Sequence, residues 1–348
     1  MSKSICIMRL SAIGDVCHAA AMVTRITQAW PDSRVTWVIG KIEYQLVKGM
    51  ANVEFIVCNK SQKNARKQLK QDLAGREFDV LLLMQVALRA NWFASVIKAT
   101  RRIGFDRARS KEGHSLFINE RIAATAHTHV LDGFMQFADQ LGVPATELEW
   151  AIPVDEEDRK WAEHQAKQFG RFVIIAPAAS KAMRNWTADG YAQLIQQLQH
   201  ADITPVLCGG PGPVDAAITQ SIMAVIGTNG AASKPHVVHN LVGQTTLKQM
   251  LGLMAHAQCV VAPDTGPAHM ATTQRTPVVG LYAHSNPLRT GPYLSLQHTV
   301  SVYEQAIEQE TGKTWQALPW GVRAKGDSWM QTITSEQVWQ QVQGFINR

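Results

Sequence analysis

The chain has 348 residues, more than one compact core usually organises, so its length favours two domains of roughly 150 to 180 residues. Hydrophobic residues make up 46% and charged residues 18%, which excludes wholesale disorder, and no apolar run approaches the roughly 18 residues of a membrane helix. The net charge of +6 is uneven: 20 basic residues stand against 15 acidic ones up to Asp155, and 14 against 13 beyond it.

The first element, Ser4 to Leu10, is a short apolar run interrupted by Arg9. That interruption comes too early for a signal-peptide core and predicts an uncleaved cytoplasmic chain. Ser11-Ala12-Ile13-Gly14-Asp15 and the helical stretch Val16 to Ala29 follow, giving strand, glycine turn and helix. Val35 to Ile39 and Val53 to Val57 read as strands, Lys60 to Leu73 as a basic amphipathic helix, and Phe78 to Met84 as the strongest strand of this half. Between Lys60 and Lys111, 13 basic residues stand against four acidic ones. Such a stretch suits an anionic partner (nucleic acid, phospholipid or phosphorylated sugar) or else forms solvated helix faces.

The pattern restarts after the acidic, proline-flanked segment Trp150 to Asp158. A helix runs to Phe169, then come a strand from Phe172, a helix from Tyr191 to Gln199, and a strand from Thr204 to Cys208 ending in Gly209-Gly210-Pro211-Gly212-Pro213. Leu247 to Ala255 reads as a helix, Cys259 to Ala262 and Pro277 to Tyr282 as strands, and Ser335 to Ile346 as a last helix with Val338, Trp339, Val342, Phe345 and Ile346 on one side. Alternating strands and helices argue an α/β chain with doubly wound parallel sheets, which bind ligands at the carboxyl ends of their strands. The five cysteines, Cys6, Cys17, Cys58, Cys208 and Cys259, form no CxxC pair and read as reduced, buried thiols.

Three turns carry chemistry. In Ala262-Pro263-Asp264-Thr265-Gly266-Pro267-Ala268-His269, a buried strand runs into a turn and a helix opens at Pro267. Backbone N–H groups at such a start favour an anion, so the turn is either a diphosphate seat or a simple turn with Asp264 capping the helix. Asp15, at the mouth of the first turn, is either a general base or a carboxylate favoured in a helix's first turn. The loop Ser180-Lys181-Ala182-Met183-Arg184 follows the first strand of the second half. Its two cations and hydroxyl form either a phosphate clamp or a solvated loop.

Together these residues resemble the lipopolysaccharide heptosyltransferases of glycosyltransferase family 9. The resemblance runs through Arg9 to Val16, Gly104-Phe105-Asp106-Arg107, Arg184-Asn185-Trp186, Gly243-Gln244-Thr245-Thr246-Leu247 and Asp264 to His269. It is strongest to the heptosyltransferase I group acting on a (phospho-)Kdo acceptor, through Leu131-Asp132-Gly133-Phe134-Met135. The resemblance implies a GT-B enzyme of two Rossmann-like domains facing across a cleft. An acceptor domain would span 1–154 and an ADP-sugar domain 155–334, with a helix over 335–348 packing back on the first.

By the same resemblance, the enzyme transfers L-glycero-D-manno-heptose from ADP-heptose to Kdo of the lipopolysaccharide inner core, with inversion. Asp15 matches the catalytic base. Ser180, Lys181, Arg184, Asp215, Thr245, Asp264, Thr265, Gly266 and His269 fall to the donor and its diphosphate. Ser11, Gly14, Lys60, Lys63, Arg66, Lys67, Arg89, Arg107, Arg109 and Lys111 would face the acceptor or an anionic membrane. Relatives commonly carry lysine where Arg184 stands, and place the ribose acid directly after the glycines, whereas here the first acid is Asp215. No Asp-x-Asp pair sits at a strand end, so neither metal nor cofactor is expected. The expected chain is a monomer, peripheral on the cytoplasmic face of the inner membrane, with no nucleic-acid partner. The alternatives are a non-catalytic sugar-nucleotide binder, a nucleic-acid-binding protein, and a dehydrogenase. The last lacks a GxGxxG, and Gly209 to Pro213 sets prolines where its helix should begin.

Overall fold

The computed structural model describes residues 3–228 and 237–347. The chain divides into two compact units between Pro153 and Val154. In the first lie β1 (Ser4–Met8), α1 (Ile13–Ala29), β2 (Arg34–Gly40), α2 (Lys41–Val47), β3 (Val53–Cys58) and α3 (Ala65–Asp72). They are followed by β4 (Phe78–Leu83), α4 (Leu88–Ala94), β5 (Ala99–Gly104), β6 (Glu120–Arg121) and α5 (Val130–Leu141). The second unit opens with α6 (Glu156–Phe169), β7 (Phe172–Ile175), α7 (Ala188–His200), β8 (Thr204–Leu207), α8 (Pro213–Thr228) and β9 (His239–Asn240). It continues through α9 (Leu247–Met254), β10 (Val260–Pro263), α10 (Gly266–Thr273), β11 (Val278–Tyr282) and α11 (Pro287–Thr290). β12 (Val300–Ser301), α12 (Tyr303–Thr311) and α13 (Ser335–Ile346) close it.

The described strands of each unit form one parallel sheet, in the orders β3-β2-β1-β4-β5-β6 and β12-β11-β10-β7-β8-β9. Counted from its own first strand, each order is the Rossmann one, so the two halves repeat a topology that their sequences do not repeat. The central strands are apolar on both faces because helices cover both: Ile5 to Met8, Leu81 to Leu83, Val173 to Ile175 and Val260 to Ala262 are fully buried. All five cysteines are free and buried in these layers, and burial pushes their thiols up, that of Cys58 to about 11 and those of Cys208 and Cys259 to about 12.

Two expectations are corrected. The basic helix begins at Ala65 rather than Lys60, because Ser61 donates its N–H to Asn59 Oδ1 (3.3 Å) in a local turn that competes with the helix. The prolines after Gly209 do not prevent a helix: α8 starts at Pro213 itself, where the missing N–H would have had no helical partner. The last helix has Val338, Val342, Phe345 and Ile346 in the core of the second unit, and α13 lies against α7 and β11. β5 has no counterpart in the sequence reading. Its Arg101 forks onto Glu120 of β6 (2.7 and 2.8 Å), and Arg102 donates to the carbonyls of Ala94, Ile97 and Phe117. The charges that hide the strand are thus structural. Among the described residues no helix is long and apolar enough to cross a membrane.

Candidate active site

In each sheet the strand order reverses once, between β1 and β4 and between β7 and β10, the point where sheets of this kind offer a ligand crevice beyond the carboxyl ends of their strands. The sequence motifs fall at these two points.

In the first unit, Arg9 and Leu10 leave β1 while Met84 and Gln85 leave β4. Arg9 Nη1 donates to Met84 O, and the Leu10 N–H donates to Gln85 Oε1 (2.9 Å), tying the two loops together. The guanidinium is buried, lies over the Phe134 ring (5.2 Å to the centroid) and forms an ion pair with Asp15 through Nη2. Asp15 stands in the first turn of α1 and accepts a hydrogen bond from the N–H of Ala12, the N-cap residue (3.3 Å). Capping and chemistry are therefore not alternatives here. The carboxylate caps, is fixed by a cation, and keeps its side chain 33% exposed at the crevice. Gly14 occupies the same turn, and the half-buried hydroxyl of Ser11 accepts from Lys60 Nζ (2.7 Å). Glu43, buried on α2, has its carboxyl pushed up by burial, opposed by its own N–H and by the charges of Lys60 and Arg9.

The basic stretch separates by sheet end. Arg76, Lys98 and Arg101 lie before or at the start of β4 and β5 and pair with Glu54, Glu77 and Glu120. Lys60, Lys63, Arg89, Arg107, Arg109 and Lys111 lie on loops or helix starts after the carboxyl ends of β3, β4 and β5. Of these, Arg109 is held by Asp106, by Ala123 O (2.9 Å) and by Gln136 Oε1 (2.8 Å), and so braces its loop. Arg66 donates to Trp92 O (3.0 Å) and Ser95 Oγ (2.9 Å), which makes it a fastening between α3 and α4. Lys63, Lys67, Arg89, Arg107 and Lys111 are exposed and make no ion pair among the described residues.

In the second unit, α10 starts at Gly266 with Thr265 as N-cap and Pro267 in its first turn. Thr265 makes no side-chain cap, and Asp264 does not cap either. Its Oδ2 accepts from Ser285 Oγ (2.6 Å) and faces Arg184 Nη1 across the switch point (3.4 Å). Burial pulls the Arg184 guanidinium down, and Asp264 opposes that by favouring the charged form. The loop bearing Arg184 is fixed by the Ala179 N–H on Asn185 Oδ1 (2.7 Å) and by the buried Trp186, whose Nε1 donates to Ile333 O (2.9 Å). Ser180 and Lys181 stand exposed at its tip. His269 is buried on the first turns of α10. Asp215 lies on α8, and its Oδ1 accepts from the Gly210 N–H (2.8 Å), closing the glycine turn after β8. Thr245 has a buried hydroxyl with no hydrogen-bond partner among the described residues, while Thr246 caps α9.

The structure thus adds Arg9, Gln85 and Ser285 to the residues expected at the two sites. Arg9 and Ser285 each directly follow or closely flank a buried strand, a polar residue at a carboxyl strand end, which is the signal that could have found them. Among the described residues no group of three or more His, Cys, Asp or Glu is placed to hold a metal ion.

The family model of glycosyltransferase family 9 (heptosyltransferase) matches residues 66–318. The lipopolysaccharide core heptosyltransferase OpsX of Haemophilus influenzae is 40% identical over 338 residues, covering 97% of this chain and 95% of that protein. A glycosyl transferase family 9 structure from Veillonella parvula superposes with a TM-score of 0.77 at 20% identity, covering 99% of this chain and 97% of its own. E. coli heptosyltransferase WaaC with ADP gives 0.72 at 20% identity, covering 98% and 99%. At that identity the solved structures establish the GT-B fold alone. The family match and the 40% relative establish more: this chain belongs to glycosyltransferase family 9, the heptosyltransferases.

Proposed function

We propose that this protein transfers L-glycero-D-manno-heptose from ADP-heptose to a Kdo residue of the lipopolysaccharide inner core, with inversion, at the cytoplasmic face of the inner membrane. The observation behind the assignment is the 40% identity, over nearly the whole chain, to a protein named for heptosyl transfer to the lipopolysaccharide core. The donor reading is supported by the ADP in the WaaC structure and by the helix start at Gly266.

In this reading the first unit holds the acceptor and the second the donor. The acceptor hydroxyl attacks the anomeric carbon from the face opposite the diphosphate, through an oxocarbenium-like transition state, as water does in inverting glycosidases. Asp15 accepts the hydroxyl proton, a role typically worth about 10²–10⁴-fold. Arg9 holds the carboxylate toward the crevice. Negative charge grows on the departing diphosphate, where the N–H groups at the start of α10, the remaining donors of Arg184, and Lys181 stabilise it. Asp264 and Ser285 hold Arg184 in place. Those cations and backbone dipoles perform the neutralisation that a divalent ion performs elsewhere, so turnover is expected to be metal-independent and to persist in EDTA. Loss of activity on chelation, restored by Mg²⁺ or Mn²⁺, would contradict this.

The direct test is incubation with ADP-heptose and Kdo-lipid A, with the product identified by mass and its anomeric configuration by NMR. The proposal expects one added heptose of inverted configuration. Donor binding without transfer would leave a sugar-nucleotide binder instead.

A further inference from the structure

At the carboxyl end of the first sheet, the same end as Asp15, three large apolar side chains stand in solvent: Leu88 (57% exposed), Trp92 (52%) and Leu116 (86%). They are far apart in sequence but belong to one built surface. The Leu88 N–H at the start of α4 donates to Glu112 Oε2 (2.6 Å) in the loop that leads to Leu116. Asn91 of α4 bonds the same loop through His114 Nδ1 (2.9 Å), and the Arg66 guanidinium lies over the Trp92 ring (4.9 Å to the centroid). Side chains held out by so much local structure are not frayed core residues. A large apolar residue exposed on a fixed backbone marks a contact surface. Beside them in the chain stand Arg89 and Lys111, exposed cations without an ion-pair partner among the described residues, while the Glu112 carboxylate is engaged by the Leu88 amide.

We infer that Leu88, Trp92 and Leu116 form a docking surface for an anionic bilayer. An aromatic ring and two leucines insert among acyl chains, and the flanking cations meet the headgroup charge. Neither part alone holds a protein at a membrane, whereas the two together do. The surface is carried on segments that leave the same end of the sheet as Asp15, the end that would meet an acceptor whose sugar is carried on a lipid. In that respect the inference rests on the function proposed above, although vesicle binding is measured without it.

The test is flotation of the full chain with phosphatidylcholine vesicles and with vesicles that contain about 30% phosphatidylglycerol. It is run for the natural sequence and for Leu88→Gln, Trp92→Gln and Leu116→Gln combined. The natural chain is expected to float with the anionic vesicles, less at high salt, and the triple variant to bind them about tenfold or more weakly. Turnover on a lipid-free Kdo oligosaccharide should be unchanged in the variant, because none of the three residues belongs to the site. Equal flotation of the two proteins, or none by the natural chain, would overturn the inference. So would a parallel loss of lipid-free turnover, which would place these side chains at the acceptor itself. A natural chain that is a dimer and a variant that is a monomer would assign the patch to a second copy and overturn it as well. A failure of heptosyl transfer with vesicle binding intact would count against the proposed reaction alone.

Discussion

Arg9–Asp15 and Arg184–Asp264 are two ion pairs of the same kind, each at the point where a sheet reverses its strand order. Their partners give them different chemistry. Asp15 has its cation on one side and solvent on the other, so the carboxylate is held in place and still reachable. Asp264 is enclosed by Arg184 and Ser285 and serves as an anchor for a cation whose other donors remain for a ligand. Arg184→Ala is therefore expected to weaken ADP binding by about tenfold or more, since a hydrogen bond to a charged group contributes about 1.5–3 kcal/mol. Arg184→Lys should recover part of it, because an ammonium supplies charge without the planar fork. Titration calorimetry at low salt checks both. Unchanged affinity in the alanine variant would remove Arg184 from the donor site.

Among the elements, the loop from Phe105 to Ile118 hangs on one histidine. The Phe105 N–H donates to His114 Nε2 (3.2 Å), so Nδ1 carries the proton and donates to Asn91 Oδ1 (2.9 Å). A second proton has no acceptor here, and burial lowers the His114 pKa from 6.5 to about 4. The unfolded chain thus binds a proton that the folded one refuses between those values. The contribution is fully present above pH 6.5 and is lost as the pH falls toward 4. His114→Gln, which keeps an acceptor but cannot titrate, should lose less in melting temperature between pH 7 and pH 5 than the natural chain does. Equal losses would show that His114 does not govern this acid sensitivity. None of this loop's fastening is legible in the sequence, because it depends on Asn91 and His114 meeting across α4 and β5. What is legible is whatever needs only local pattern: apolar strands such as Phe78 to Leu83, the glycine turn before Asp15, and proline at the start of α10. β5 is hidden because Arg101 and Arg102 break its apolar run and find their partners in Glu120 and three carbonyls. Arg9 is visible as a residue but not as a partner, since its fixation comes from Met84 and Phe134, more than seventy positions away.

At the scale of the whole molecule, the two units are the same Rossmann plan used for different work: an acidic residue held at the crevice in the first, a helix start and cations in the second. The final helix belongs to the second of these units, because its apolar face fills the second core. Val342→Asp places an unpaired charge there and should cost about 3 kcal/mol or more. Hydrogen exchange mapped by mass spectrometry should then quicken in α7 and β11 and leave β1 to β4 as they were. Faster exchange in the first unit's strands would contradict the placement of α13.

The proposed mechanism turns on Asp15 as the base, and Asp15→Asn tests that role. Asparagine still accepts from the Ala12 N–H, so the turn is kept, and the lost charge opposite Arg9 should cost about 1 kcal/mol. With ADP-heptose affinity within a few-fold of the natural chain, turnover on Kdo-lipid A is expected to fall by about two to four orders of magnitude. Near-normal turnover in a folded variant would leave Asp15 as a helix cap and contradict the mechanism.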